Sequence, residues 1–387
     1  MDRSPSVNLP PALRGVRVID ASSYLSGPFA GLMLADLGAD VIKVEHPTGH
    51  DPMRRYRNPA HPAAAMAANV NRNKSSVLLD LKADADKATF GELIAAADVV
   101  VMNMRPAAAE AIGLGDAALA DLNDRLIRLW ITGYGNDGPR CDEPAYDASI
   151  QAYCGLITAQ SEAGVPTSVR TYVADKVASI FAVQGVLAAL LERERMGKGQ
   201  RVDVAMLDAT SYFAFPDLFE DHTFVEYEHH GGSMGHAAVV GPTKDGALVL
   251  AAGNGSQLRA ALDVLGHPEW WGDLKRAPGA EARTMAMVAL FQPVLRTATT
   301  DEWIAKFLAA DVPVAPILTA SQHLQDAQVV ANELYSTYVH PEFGVTRAVR
   351  YPVRFGAMAN VEATPFRQPG DDQQRLAELT ASNGPRR

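Results

Sequence analysis

The chain has 387 residues, of which 48% are hydrophobic and 21% charged, with a formal net charge of −10. This length exceeds one hydrophobic core and predicts two domains, while the negative charge argues against nucleic-acid or anionic-membrane partners, which need clustered Lys and Arg. Cys141 and Cys154 belong to no CxxC motif or Cys/His cluster, which disfavours a disulfide framework and a zinc site and fits a reducing cytoplasm.

Apolar runs alternate with segments of helical spacing over the first third of the chain. Helices are predicted at 26–38 and 86–98, and strands at 16–20, 39–45, 75–82, 99–103 and 126–132. Strands joined by helices of about ten residues indicate βαβ units, and continuous apolar strands are typical of a sheet covered on both faces. The predicted fold is therefore α/β, with a Rossmann-like parallel sheet.

A long apolar helix is predicted to begin near Asp175 and to stop at the glycines of 196–200, followed by a strand at 201–206. Gln184 interrupts its apolar stretch and charged residues follow Leu191, so we expect it to be too short to span a bilayer. The polar N-terminal residues lack the apolar stretch of a signal peptide. Neither feature predicts a membrane partner.

The composition changes after residue 220, where glycine and histidine become frequent. A hairpin is predicted around 244–246, with helices at 256–266 and 300–310. The expected division is 1–221 as the first part of a large domain, 222–325 as a smaller α+β domain, and 326–387 as a return segment. That return segment contains a predicted strand at 347–355.

The common cofactor motifs are missing from the sequence. The loop after the first strand reads "DASSYLSGPFAG" instead of GxGxxG, which disfavours NAD or FAD, and there is no P-loop, HExxH or GxSxG. Four histidines cluster without regular ligand spacing, so no metal site is predicted. They are His222, His229, His230 and His236.

Asp175, in "YVADKVAS", has two interpretations. An aspartate in the first turn of a helix is stabilised by the helix dipole, by about 0.3–1 kcal/mol, and is an ordinary helix-start residue. The same position keeps a carboxylate ionised, as a nucleophile requires. Spacing alone leaves both interpretations open.

Several long stretches resemble the class III CoA-transferase family, which includes formyl-CoA and carnitine CoA-transferases and α-methylacyl-CoA racemases. The resemblance covers about residues 13–220 and extends more loosely to 360. The stretches are "LRGVRVIDASSYLSGPFAGLMLADLGADVIKVEHPTGHDPMR", "NRNKSSVLLDLK", "ADVVVMNMRP", "ITGYGNDGPRCDEPAYDASIQAYCGL" and "VADKVASIFAVQGVLAALLERERMGKGQRVDVAMLDA".

The resemblance implies CoA transfer between an acyl-CoA and a carboxylic acid, with Asp175 as nucleophile and an aspartyl-CoA intermediate. It implies a cytoplasmic homodimer whose two chains interlock, with CoA thioesters as substrates and no permanently bound cofactor. A glycine-rich loop supplies N–H donors to the oxyanion in the family, and 229–236 is the candidate here.

Two alternatives stay open beside transfer. The racemase branch has histidine where this chain has Tyr146. An unperturbed tyrosine titrates near 10 and a histidine near 6.5, so tyrosine is a poor proton shuttle and favours transfer. The other alternative is a CoA-ester-binding protein without activity.

The resemblance also implies the residues that contact CoA. His46 and Leu25 depart from the arginine and glutamine of formyl-CoA transferase. The basic residues Arg54, Arg55, Arg57, Arg72 and Lys74 are either phosphate ligands or a solvated surface. The predicted contacts are Leu25, Ser26, His46, Arg72, Leu79, Lys82, Asn103, Met104, Arg105 and Tyr146.

Overall fold

The computed structural model describes residues 9–48, 50–56, 64–161, 164–226 and 238–381. Contacts divide the chain into two compact units. The large unit is Met1–Phe213 with Asn332–Arg387, and the small unit is Ala214–Ala331. The sequence predicts a small domain at 222–325.

The described residues form eleven strands and sixteen helices. The strands are β1 (Arg17–Asp20), β2 (Asp40–Glu45), β3 (Lys74–Leu78), β4 (Val99–Met102), β5 (Ile127–Thr132), β6 (Arg201–Ala205), β7 (Ala238–Pro242), β8 (Ala247–Ala251), β9 (Val314–Pro316), β10 (Tyr335–His340) and β11 (Gly344–Val349). The helices are α1 (Ser26–Asp36), α2 (Ala65–Asn71), α3 (Asp84–Ala95), α4 (Pro106–Ala111), α5 (Asp116–Leu122), α6 (Asp147–Tyr153), α7 (Leu156–Ala159), α8 (Val173–Met196), α9 (Met206–Leu218), α10 (Gly255–Leu265), α11 (Trp271–Arg276), α12 (Ala280–Leu295), α13 (Thr300–Ala309), α14 (Ala320–His323), α15 (Ala327–Ala331) and α16 (Leu376–Ala381).

Six parallel strands form the sheet of the large unit, in the order β3-β2-β1-β4-β5-β6. Alternate residues of β1, β4 and β5 enter two separate apolar clusters, one per face. Val18 packs on the face covered by α1 and α8, and its neighbour Ile19 packs on the face covered by α3 and α5. The predicted parallel sheet, covered on both faces, is confirmed.

Two predicted strands are shorter than expected. β3 ends at Leu78, not at 82, because the Asp80 carboxylate accepts the Lys82 backbone N–H (3.0 Å) and closes a turn. β11 ends at Val349, not at 355. Pro352 follows shortly after and cannot donate a ladder hydrogen bond.

The long helix α8 has 24 residues and ends before Gly197, which adopts φ 74°. It is the one helix among the described residues that is long and apolar enough to cross a membrane. The expectation that it is too short was therefore wrong. Half of its most apolar window is buried, and residues such as Val183 and Val186 belong to the core beneath the sheet, which accounts for much of its apolar character.

The return segment packs along the edge of the sheet. Ser76 of the edge strand β3 exchanges hydrogen bonds with Asp372, through the backbone N–H and O of Ser76 (2.9 and 3.0 Å). Leu9 pairs with the backbone at Ala357 and Ala359 (2.8 and 2.9 Å). The bonds between Ser76 and Asp372 cover an edge that would otherwise expose unpaired backbone groups.

The small unit contains the antiparallel sheet β7-β8-β9. β7 and β8 form the predicted hairpin around 244–246, and α10 and α13 are the predicted helices. Phe291, Trp303 and Phe307 are buried in its core.

Candidate functional site

The strand order of the sheet places a crevice between β1 and β4. The chain proceeds from β1 and from β4 towards opposite edges of the sheet, so the loops at the carboxyl ends of these two strands diverge. Open α/β sheets bind their ligands in the crevice between such loops. A cavity of about 700 Å³ opens there, within the large unit. It brings together seven of the predicted site residues: Leu25, Ser26, Asn103, Met104, Arg105, Tyr146 and Asp175.

A buried ionic cluster supports the loop that follows β1. Asp20 accepts hydrogen bonds from the backbone and hydroxyl of Ser22 and pairs with Lys74 (2.8 Å) and Lys43 (3.6 Å). Burial would raise the pKa of Asp20, but the two ammonium groups hold it at about 2. Burial lowers the pKa of Lys74 to about 8. The ionised Asp20 thus fixes the first residues of the loop.

Asn103, at the end of β4, binds the same loop from the other side. Its side-chain oxygen accepts from the Ser23 N–H (2.8 Å) and its amide donates to the Ser23 carbonyl (2.7 Å). The next residue, Tyr24, adopts φ 64° and donates its N–H to Asp51 (3.2 Å). A non-glycine residue in this region is strained, so the surrounding contacts hold the loop in place.

The first turn of α1 points at Asp175. Ser26, the first residue of α1, is buried beside Asp175, and its N–H and hydroxyl favour the ionised carboxylate and so lower the pKa of Asp175. The Ser26 carbonyl accepts the hydroxyl of Ser179, one turn further along α8 (2.7 Å). Helix N-termini favour anions, so this arrangement holds the carboxylate against the cavity wall.

Asp147 provides the cap at the start of α8. Its carboxylate accepts from the Ala174 N–H (2.7 Å) and more weakly from the Asp175 N–H (3.4 Å). Gln151 donates to the other Asp147 oxygen (2.5 Å). Since Asp147 does the capping, the side chain of Asp175 is free to face the cavity.

Sequence reasoning did not find Asp147. It is buried, lies one residue after Tyr146, and faces Gln151 at the i,i+4 spacing of a helix. That Asp–Gln pair at the start of a helix was the available signal.

The pKa of Asp175 is raised to about 6. Burial is the main cause and the nearby Asp147 carboxylate adds to it, while the hydrogen bonds from Ser26 oppose it. The carboxylate is therefore ionised at neutral pH yet poorly solvated, which makes it a better nucleophile than a hydrated one.

Two tyrosines form one wall of the cavity. The hydroxyls of Tyr24 and Tyr146 lie 3.2 Å apart, and their rings meet edge to face with centroids 5.5 Å apart. The hydrogen bond to Tyr146, helped by burial, raises the pKa of Tyr24 to about 12. Tyr24 is therefore neutral at physiological pH.

Four predicted contacts lie outside the lining of this cavity. Arg72 is buried and forms a bidentate pair with Asp36 (both 2.6 Å), and Leu79 is buried in the core. His46 lies 3.5 Å from Asp80, and Lys82 is exposed. Their role as CoA contacts stays a prediction.

The basic stretch around Arg72 is not a solvated surface throughout. Arg54 pairs with Glu45 (2.6 Å), and Lys74 is buried against Asp20. Arg57 and the glycine-rich segment 229–236 lie outside the described residues. Of the four clustered histidines, only His222 is described, and no group of three metal-ligating side chains occurs in the described part of the chain.

The family profile described as CoA-transferase family III matches residues 13–371. The chain belongs to CoA-transferase family III. It is 33% identical over 366 residues to formyl-CoA:oxalate CoA-transferase of Streptomyces avermitilis, covering 89% of each chain. It is 33% identical over 390 residues to succinate–glutarate CoA-transferase of Agrobacterium fabrum, covering 96% of each.

Comparison with solved structures agrees with this family assignment. A crystal structure of a CAIB/BAIF family protein from Brucella suis superimposes with a TM-score of 0.83 at 27% identity, covering 96% of this chain and all of that one. The resemblance read from the sequence is confirmed, and this family III protein is an enzyme of the CoA-transferase class.

Proposed function

We propose that this family III enzyme transfers CoA between an acyl-CoA thioester and a free carboxylic acid through a covalent intermediate on Asp175. The observation that carries the proposal is the Asp175 carboxylate at the wall of the cavity, beside the first residue of α1 and with its pKa raised to about 6. The names of the two relatives above support the substrate class, since each pairs CoA with carboxylic acids.

Each proposed step forms one bond and breaks another, and none of them requires a metal ion or a redox reaction. An Asp175 oxygen attacks the thioester carbon and expels CoA thiolate, which leaves a mixed anhydride. The thiolate attacks the Asp175 carbonyl of the anhydride, giving an aspartyl-CoA thioester and the free donor acid. An acceptor carboxylate then attacks that thioester, and the expelled thiolate attacks the acceptor carbonyl of the new anhydride, which releases the new acyl-CoA and Asp175.

The proposal also includes the predicted CoA contacts, oxyanion donors, homodimer and location. Leu25, Ser26, Met104 and Arg105 border the cavity and suit contacts with CoA, Arg105 pairing with a phosphate. N–H donors to the oxyanion from 229–236, an interlocked homodimer and a cytoplasmic location stay predictions from the resemblance. Ser26, which lies beside Asp175, would also keep the nucleophile in position.

Two measurements test the mechanism. Asp175→Ala should lower transfer by at least about 1,000-fold while the fold survives, because it removes the nucleophile. Asp121→Ala, an exposed aspartate on α5, is the matched control and should retain activity. Circular dichroism and size-exclusion profiles of both variants should match the parent protein.

Trapping identifies the intermediate directly. Incubation with an acyl-CoA followed by hydroxylamine should modify Asp175, as detected by peptide mass. Normal turnover by Asp175→Ala, or modification at another residue, would exclude this mechanism. Exchange of the α-proton of a 2-methylacyl-CoA without any acceptor acid would instead indicate the racemase.

A further inference from the structure

The cavity around Asp175 carries little positive charge. Arg105 is the one cation among its described lining residues, and its guanidinium donates to the carbonyl oxygen of Asp142 (3.0 Å). Glu143, Asp147 and Asp175 line the same cavity. Acids therefore outnumber cations on this wall.

The neighbouring cations are engaged elsewhere. Arg140 pairs with Glu143 (2.5 Å), which neutralises that acid, and the Lys176 ammonium donates to the Thr171 hydroxyl (2.6 Å). Asp147 contacts the backbone of Asp175 itself (3.4 Å). Asp147 and Lys176 both act on the charge of Asp175, and the carboxylate of Asp147 has the larger effect.

Apart from the polar side chains of Ser23, Ser26, Asn103 and Thr132, the rest of the wall is largely aromatic and apolar. Four tyrosines line the cavity: Tyr24, Tyr56, Tyr146 and Tyr172. Ile131 and Met206 add aliphatic surface. Phenol rings contribute apolar contact area together with a neutral hydroxyl. Such a wall suits an uncharged hydrocarbon body better than an anionic one.

We infer that the acid exchanged at Asp175 is a monocarboxylate with an apolar body, and that dicarboxylates are rejected; this rests on the proposed transfer through Asp175. A monocarboxylate uses its one charge as the reacting group and buries its chain against the tyrosines. Among the described lining residues the one cation is Arg105, which the proposed function assigns to a CoA phosphate, so the second carboxylate of a dicarboxylic acid would lose water near Asp147 without a cation of its own, which is strongly unfavourable.

Matched acids of equal length test this inference. The full chain is supplied with butyryl-CoA and, separately, succinyl-CoA, each with valerate or glutarate as acceptor, and the new thioester is identified by mass. We expect kcat/KM for valerate to exceed that for glutarate by about 100-fold or more. Transfer to glutarate at an equal or higher rate would overturn the inference and leave the transferase function intact.

A charge added beside Asp147 gives a second test. Ala148 is exposed, lies on α6 and lines the cavity, so Ala148→Arg places a cation there, while Ala148→Gln fills similar space without charge. The Arg variant should raise the glutarate-to-valerate ratio about 10-fold over the Gln variant. Equal ratios in the two variants would overturn the inference.

These experiments distinguish failure of the proposed transferase function from failure of the monocarboxylate inference. If no acid receives CoA and butyryl-CoA leaves no hydroxylamine-trapped label on Asp175, the proposed function fails and the inference fails with it. If the label forms and dicarboxylates are preferred, only the inference fails.

Discussion

Asp175 and Asp147 form a pair of carboxylates with different tasks. Asp147 is held by two backbone N–H groups of α8 and by Gln151, so it has stable partners as an anion. Asp175 lies beside Ser26 and lines the cavity, where burial and the charge of Asp147 raise its pKa to about 6. The residue that shapes the start of α8 therefore also tunes the nucleophile.

This pairing predicts the acid limb of the pH profile. Because the folded pKa of Asp175 is raised, its nucleophilic form is present above pH 6 and is lost as the pH falls through 6. The kcat/KM of transfer should show a midpoint near pH 6. In Asp147→Asn the midpoint should move to lower pH, because the repulsive charge is gone while an oxygen remains to cap α8.

The matched control for the pH profile is Asp121→Asn, which removes an equal charge from the exposed surface of α5. Its midpoint should equal that of the parent enzyme. An unchanged midpoint in Asp147→Asn would show that Asp147 does not act on the ionisation of Asp175.

At the level of elements, the junction between β1 and α1 determines where Ser26 meets Asp175. Gly27, the second residue of α1, lies so close to the preceding loop that a Cβ would come within 2.2 Å of both the Cβ and Oγ of Ser22. Ser22 cannot easily move, because its hydroxyl binds the buried Asp20. The helix can begin at this point only with glycine there.

Gly27→Ala should therefore displace the loop or the helix start, costing about 1–3 kcal/mol in the free energy of unfolding and most of the transfer activity. Gly91→Ala is the control, since a Cβ there meets only the ordinary contact of Leu122 at 3.7 Å inside α3. It should be neutral or stabilise by up to about 1 kcal/mol. Denaturant unfolding and kcat/KM measure both effects, and full activity in Gly27→Ala would contradict this account.

The sequence predicted these elements better than it predicted individual side-chain roles. Apolar runs and glycine stops located the parallel strands and α8, because burial on both faces leaves a continuous pattern. The role of Asn103 was not readable in the same way. Asn103 follows a strand and lines the cavity, but its amide binds the backbone of Ser23, eighty residues earlier. Such long-range hydrogen bonds leave no local pattern.

Arg72 shows that the sequence does not reveal the partner of a charged residue either. A run of basic residues suggests either phosphate binding or a solvated surface, and both interpretations ignore partners distant in sequence. Arg72 is instead buried against Asp36 of α1 and the carbonyl of Val349 (3.0 Å), and Arg54 against Glu45. Composition cannot reveal a buried pair whose members lie on different elements.

For the molecule as a whole, the outer face of α8 is unusual. Ile180, Leu187 and Leu191 are spaced by seven and four residues, so they share one face, and they are 45%, 37% and 58% exposed. The opposite face of the same helix is buried in the core. An exposed apolar stripe of this length is typical of a surface that another chain covers. The proposed homodimer supplies that chain.

Leu187→Glu combined with Leu191→Glu should therefore convert a dimer into a monomer, because two charges would have to be buried at the interface without partners. Multi-angle light scattering would report the halved mass, and circular dichroism would show that the helix survives. Arg195→Gln together with Lys198→Gln changes the charge by the same amount at polar positions near the end of α8 and should leave the mass unchanged. If the parent enzyme is already a monomer, or the double Glu variant keeps the parent mass, the stripe is not the dimer interface.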